Sequence, residues 1–165
     1  MRLCDPLIME LEQEAMSTRR VLERIPEDKL EWRPHPKSWS LGQLALHVAQ
    51  IPDTVSQLAK ENVTTAPAFQ QAAPKNKSEI LQTQDTSVAR GKAALEGWND
   101  EEMMQEWSLS VNGDTKMALP RVGLLRAIMF NHLYHHRGQL LVYLRMLNEP
   151  VPAVYGVSAD ENPFA

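Results

Sequence analysis

The chain has a single cysteine, Cys4, in 165 residues. That excludes an intrachain disulfide and any metal site built from cysteines alone. No apolar run approaches the roughly 18–20 residues a membrane helix needs, so no membrane partner is expected. Positive charge is not in excess either. Lys and Arg total 17 against 21 Asp and Glu, for a net charge of −4, and no nucleic-acid surface is expected. Met1 to Met16 contains Asp5, Glu10, Glu12 and Glu14, unlike a secretory leader, so the cytoplasm is the expected compartment. No internal repeat is visible. An ordinary apolar share of 43% and this length predict one domain spanning residues 1–165.

What the sequence does contain is helical periodicity. Asp5-Pro6 predicts a helix start, and Leu7, Leu11, Ala15, Thr18, Leu22 and Ile25 recur at spacings of three and four up to Pro26. The connector 27–38 holds Trp32-Arg33-Pro34-His35-Pro36, which reads as extended, packed loop with His35 on the surface. Ser40 and Gln43 form a capping box for a second helix, with Trp39 stapled to Leu44. Leu41, Leu44, Val48, Ile51, Val55 and Leu58 make its apolar stripe, His47 lies at the edge, and Pro52 predicts a kink. Residues 62–78 read as loop. Ser78 is read as the cap of a third helix with a weak stripe, Leu81, Gln84, Val88, Gly91, Leu95 and Trp98. Asn112-Gly113 predicts a small hairpin near 107–119. Pro120 opens a final helix to about Asn148. The tail is expected to be irregular and laid on the body through Val154, Tyr155 and Phe164. Four long helices predict an all-α four-helix bundle.

The final helix carries the chemistry. At about 100° per residue, Leu125, Ile128, Met129, Leu140, Tyr143 and Leu147 fall on one stripe, with His132 and His136 in its middle. Four residues apart, the two imidazoles share one face. Imidazoles in an apolar stripe must hydrogen-bond, find a charge partner or bind a metal. The spacing is the one zinc-protease helices use, but the glutamate that follows the first histidine of that motif is missing. His135 points elsewhere and reads as a packing or supporting residue. Arg137 leaves the stripe and is expected to pair with an acid on a neighbouring helix. Gln139 suits orienting a ligand or water, or a core-edge amide. Tyr143 reads as a core tyrosine or a proton donor, and Trp39 as a loop anchor or a pocket wall.

Three segments carry a resemblance. They are Leu30-Glu31-Trp32-Arg33-Pro34 through Lys37-Ser38-Trp39-Ser40-Leu41-Gly42-Gln43-Leu44 to His47; His132-Leu133-Tyr134-His135-His136-Arg137-Gly138-Gln139-Leu140; and Pro150-Val151-Pro152 with Tyr155-Gly156 and Ser158-Ala159-Asp160-Glu161. Together they resemble the DinB/YfiT-like family of metalloenzymes over nearly the whole chain. The resemblance implies a helical bundle with a divalent metal at one end of its core. It implies ligands at His47, His132 and His136, and a homodimer. Zinc, nickel, iron and cobalt all suit three neutral imidazoles. Three protein ligands leave a position open, as in catalytic rather than structural sites. Relatives in this family use low-molecular-weight thiols, which implies a thiol-dependent S-transferase acting on a small molecule. A metal-dependent hydrolase is the alternative enzyme. A non-enzymatic, stress-associated bundle with structural histidines is the alternative outside catalysis.

Overall fold

A computed structural model describes residues 1–65 and 70–165, so positions 66–69 of the expected 62–78 loop lie outside the described residues. The chain is mainly helical with a small three-stranded sheet. Four long helical segments share the core: α1 (Cys4–Glu23) packs on α3 (Lys77–Gly97) and the final helix, and α2 (Leu41–Leu58) packs on the same two. No described helix is long and apolar enough to cross a membrane.

Helix α1 spans Cys4–Glu23. Asp5 is not its cap, because the helix begins one residue earlier, with Leu3 at the cap position. Asp5 instead reaches back, its Oδ2 accepting the Arg2 N–H at 2.8 Å. The orphan Leu3 N–H goes to Asp100 Oδ1 at 2.7 Å, so a distant carboxylate closes this helix end. The buried face includes Leu7, Leu11, Glu14, Thr18 and Leu22.

Helix α2 spans Leu41–Leu58, and its predicted capping box is complete. Gln43 N–H donates to Ser40 Oγ at 3.2 Å, and Ser40 N–H donates to Gln43 Oε1 at 3.0 Å. The helix runs unbroken through Pro52. Helix α3, Lys77–Gly97, is capped by Asn76 and not Ser78; the Asn76 amide oxygen accepts the Glu79 N–H at 2.9 Å. Its weak sequence stripe has a reason. Ser87 and Gly91 are buried because α3 lies close against Pro52. Asp53 N–H donates to Ser87 Oγ at 2.9 Å, and a Cβ on Gly91 would stand 3.1 Å from both the Cβ and the carbonyl oxygen of Pro52. A proline ring and a backbone carbonyl cannot yield easily. Gly91→Val is expected to destabilise the fold by about 1–3 kcal/mol through overpacking. An unchanged urea midpoint would disprove this close approach.

A short helix α4, Asp100–Met104, leads to the predicted hairpin. Strands β2 (Glu106–Val111) and β3 (Asp114–Pro120) pair antiparallel. Asn112 and Gly113 sit at φ 53° and 86°, the left-handed values a two-residue hairpin turn requires. Part of the stretch read as loop is a strand: β1, Val63–Thr65, adds to β2 in parallel. Such a short strand has too few residues to show alternation. Trp107 fastens the sheet to the end of α2, its Nε1–H donating to Leu58 O and Thr64 Oγ1, each at 3.1 Å. Buried Arg121 does the same, with Nε donating to Ala59 O at 2.7 Å and Nη2 to Asn62 Oδ1 at 2.8 Å.

The final helix is continuous but not uniform. Helix α5, Arg121–Leu124, passes into a π-helical turn, Leu125–Asn131, and then into α6, His132–Met146. Leu125, Met129, Leu133 and Arg137 are all buried. Their repeated spacing of four would drift about 40° per step around an ideal α-helix. The wider i→i+5 turn absorbs that drift. A uniform wheel therefore misplaces the stripe. In α6 the core face is Leu133, Arg137, Leu140 and Leu144, while His132 and His136 stand at its border, half-buried. The tail is irregular, as expected, and Val154 packs on the core. Phe164 does not, being 81% exposed. The tail is instead pinned by polar contacts, with the Glu161 carboxylate taking Arg20, Arg24 and the Ala153 N–H.

Candidate metal centre

The loop before α2 is tied to the helix start by Leu41 N–H to Trp32 O at 2.8 Å and Gly42 N–H to Leu30 O at 2.9 Å. That holds Trp39 close to His47, which lies on the second turn of α2. Across from it, the end of the π turn presents His132, and His136 follows one turn later. One ring nitrogen from each of the three histidines lies within 4.8 Å of the others. Ring centroids are 5.1 Å apart for His47 and His132, 4.7 Å for His47 and His136, and 4.3 Å for His132 and His136. All three rings are close to mutually perpendicular, so they converge instead of stacking. Trp39 covers them, edge-on to His47 at 4.9 Å and stacked on His136 at 5.8 Å.

Two glutamines set the tautomers. His47 Nδ1 is 3.2 Å from Gln71 Oε1, and His136 Nδ1 is 2.7 Å from Gln139 Oε1. An amide oxygen only accepts, so each Nδ1 carries the proton and each Nε2 presents a lone pair. His132 Nε2–H then donates to His47 Nε2 at 2.9 Å. The other neutral tautomer of His132, with its proton on Nδ1, leaves a lone pair on the Nε2 of all three rings. Ligands of a tetrahedral zinc site stand about 3.3 Å apart, from Zn–N bonds of about 2.0–2.1 Å. The cluster lies within small adjustments of that spacing, so the donor set fits a divalent metal. Supporting hydrogen bonds of this kind orient ligand imidazoles.

Burial favours the neutral rings. Desolvation, then the neighbouring His136 and His132, pushes His47 down to about 4. Desolvation, then His136 and His135, does the same to His132, also to about 4. Desolvation lowers His136 as well, against the Gln139 hydrogen bond. Depressed imidazoles bind fewer protons folded than unfolded, so stability falls with pH below the unfolded value of 6.5 and levels off near 4. In chelator, the urea midpoint is expected to drop between pH 6.5 and 4, and His47→Ala is expected to flatten that drop. Equal slopes in both proteins would refute it.

The remaining candidates separate clearly. His135 is exposed, with its ring 4.8 Å from that of His136. His35 is exposed, its Nδ1 accepting the Lys37 N–H at 3.1 Å. Tyr143 lies edge-on to Trp32 at 5.5 Å, with its hydroxyl 3.4 Å from Trp39 O. Arg137 pairs with an acid of a neighbouring helix, as expected: its Nη2 is 2.6 Å from Glu14 Oε2 of α1. Its Nη1 also donates to Thr18 Oγ1 at 3.1 Å, and Tyr155 OH donates to Glu14 Oε2 at 2.8 Å. Sequence reasoning missed Gln71, which lies in the stretch read as loop. It is buried, and Gln43 Nε2 holds its carbonyl at 3.1 Å. A polar residue in an irregular segment offers no periodicity from which to infer this role.

Beside the cluster, Ile51, Val55, Leu58 and Ile128 wall an almost wholly apolar cavity of about 310 Å³ that reaches His47 and His132. A mainly helical chain with three convergent, neutral imidazoles next to a cavity defines a helical protein able to hold a metal ion. The comparisons place it further. The family model described as "DinB family" matches residues 4–162, and the chain belongs to that family. It is 26% identical to the uncharacterized protein YrdA of Bacillus subtilis, over 95% of this chain and 90% of that one. A DinB-like protein from Bacillus cereus has a similar fold, with a TM-score of 0.71, 21% identity, and 89% of this chain and 94% of that one covered. So does the DinB-like protein YjoA of Bacillus subtilis, with a TM-score of 0.70, 21% identity, and coverage of 91% and 97%.

Proposed function

We propose that the chain is a metal-dependent enzyme whose centre is formed by Nε2 of His47, His132 and His136, and that it transfers a low-molecular-weight thiol to an electrophile. The observation that carries this reading is the convergence of three neutral imidazoles, two of them oriented by amide oxygens, beside an apolar cavity. A divalent cation held there would supply Lewis acidity, which lowers the pKa of a bound thiol or water. The chain's residues do the rest. Gln71 and Gln139 hold the Nδ1 protons and keep each Nε2 pointing inward. Trp39 shields the cluster from bulk water. In the transfer, sulfur forms a bond to the electrophilic atom, the leaving group departs with the electron pair of the broken bond, and the thiol proton goes to solvent.

Thiol transfer is favoured over hydrolysis by the absence of a carboxylate from the cluster, among the described residues. A hydrolytic water needs a fixed base, and Glu or Asp is the usual one. The test is elemental analysis of protein prepared without a histidine tag, followed by thiol-transfer screening with the metal found. One tightly held zinc, nickel, iron or cobalt per chain supports the reading. Substoichiometric metal that washes out would return the three histidines to a structural role.

A further inference from the structure

A transfer reaction brings two small molecules to one centre, and two cavities, both lined by Trp39, reach different histidines of the cluster. The first is the apolar chamber of about 310 Å³, which ends on His47 and His132. The second is an open recess of about 240 Å³ that ends on His136 and is lined by Lys37, Ser38, Gln139 and Tyr143. Among the described residues Trp39 alone lines both, and the cavities otherwise share no wall. Their linings differ in kind. The chamber has no charged lining residue, and its size is at the low end for small-molecule sites. The recess offers hydroxyl and amide groups together with the Lys37 ammonium, which has no carboxylate partner among the described residues. Lys37 is the recess's one charged lining group, and it selects for an anion.

We infer that the centre binds two ligands at once, an apolar group in the chamber against His47 and His132 and an anionic small thiol in the recess. The thiol's carboxylate lies against Lys37 and its sulfur points past His136 into the cluster. This inference rests on the metal reading above and adds to it the class of each substrate and the side from which each enters.

The experiment uses the full chain loaded with Co(II). Thiol binding is read from the sulfur-to-cobalt charge-transfer absorption, with 3-mercaptopropionate and its neutral analogue 3-mercaptopropanol as probes. Chamber binding is read from the fluorescence of N-phenyl-1-naphthylamine. The carboxylate thiol is expected to bind about fivefold more tightly than the alcohol, the range of a partly exposed ion pair. Lys37→Gln is expected to erase that preference and leave the alcohol's affinity unchanged. Ile128→Trp, or the surface variant Thr54→Trp should the first fold poorly, is expected to abolish naphthylamine binding and leave 3-mercaptopropionate affinity intact. Saturating thiol should not displace the naphthylamine. Equal affinities for the two thiols, no effect of Lys37→Gln, or displacement of the fluorophore by thiol would each overturn the two-ligand site while the metal reading stands. Failure of cobalt to bind would overturn both.

Discussion

Alanine at His132 is expected to reduce metal affinity by at least about 100-fold, more than the 10–100-fold typical of losing a supporting residue. The metal-free protein should barely notice the change. His132 is half-buried at the border of the core, and its ring contacts are with the other two imidazoles. Its removal leaves no orphaned backbone group and no large void, so stability without metal should move by less than about 1 kcal/mol. With metal at 100 times the wild-type dissociation constant, the wild type gains about 2.7 kcal/mol that the variant lacks. The signature is therefore a melting difference that appears only when metal is added. Isothermal titration and paired melts, with and without chelator, check it. A large loss of stability in chelator would mean that the imidazole holds the fold and not a ligand. His135→Ala is the control, since its exposed ring should leave metal affinity unchanged.

The largest expected loss of stability lies behind the site. Glu14→Ala should destabilise the protein by about 3–5 kcal/mol, the cost of breaking a buried ion pair from one side. The side chains of Arg137 and Glu14 are only 2% and 7% exposed, and the truncation leaves the guanidinium with neutral partners alone, the hydroxyls of Thr18 and Tyr155 and one backbone carbonyl. At roughly 2–4 °C per kcal/mol for a chain of this size, the melting temperature should fall by about 6–20 °C. Replacing both partners, Glu14→Leu with Arg137→Met, should recover most of that loss, because neither charge is then stranded. A shift of under about 2 °C in Glu14→Ala would mean that the pair is solvated in solution and ties nothing together. The effect should reach the metal as well, since Arg137 is bonded to the α1 backbone directly after His136.

The helices that carry the three histidines are legible in the sequence because each has strong local signals. His47 follows a capping box that the structure reproduces atom for atom, and His132 and His136 are one turn apart on a helix whose existence was plain. The hairpin was legible because Asn-Gly at a left-handed turn is a local property. What was hidden is non-local. Nothing local marks Glu14 as buried; a buried arginine more than a hundred positions away claims it. Asp5 reads as a cap until Asp100 takes over that end of α1. Gln71 could not be singled out because it acts through position alone. Gly91 weakened the α3 stripe for a reason visible only in Pro52 of another helix.

The π turn at Leu125–Asn131 also bears on how such a site arises. A straight α-helix fixes the angle between the residues it buries and those it offers to a neighbouring cavity. One surplus residue in a single turn rotates everything downstream by about 100° relative to the upstream half. Deleting one residue from the 125–131 stretch should restore ordinary pitch and swing both imidazoles of α6 away from His47 without changing their identity or spacing. Ancestry could therefore gain or lose this centre by one codon inserted at a distance, with no histidine mutated.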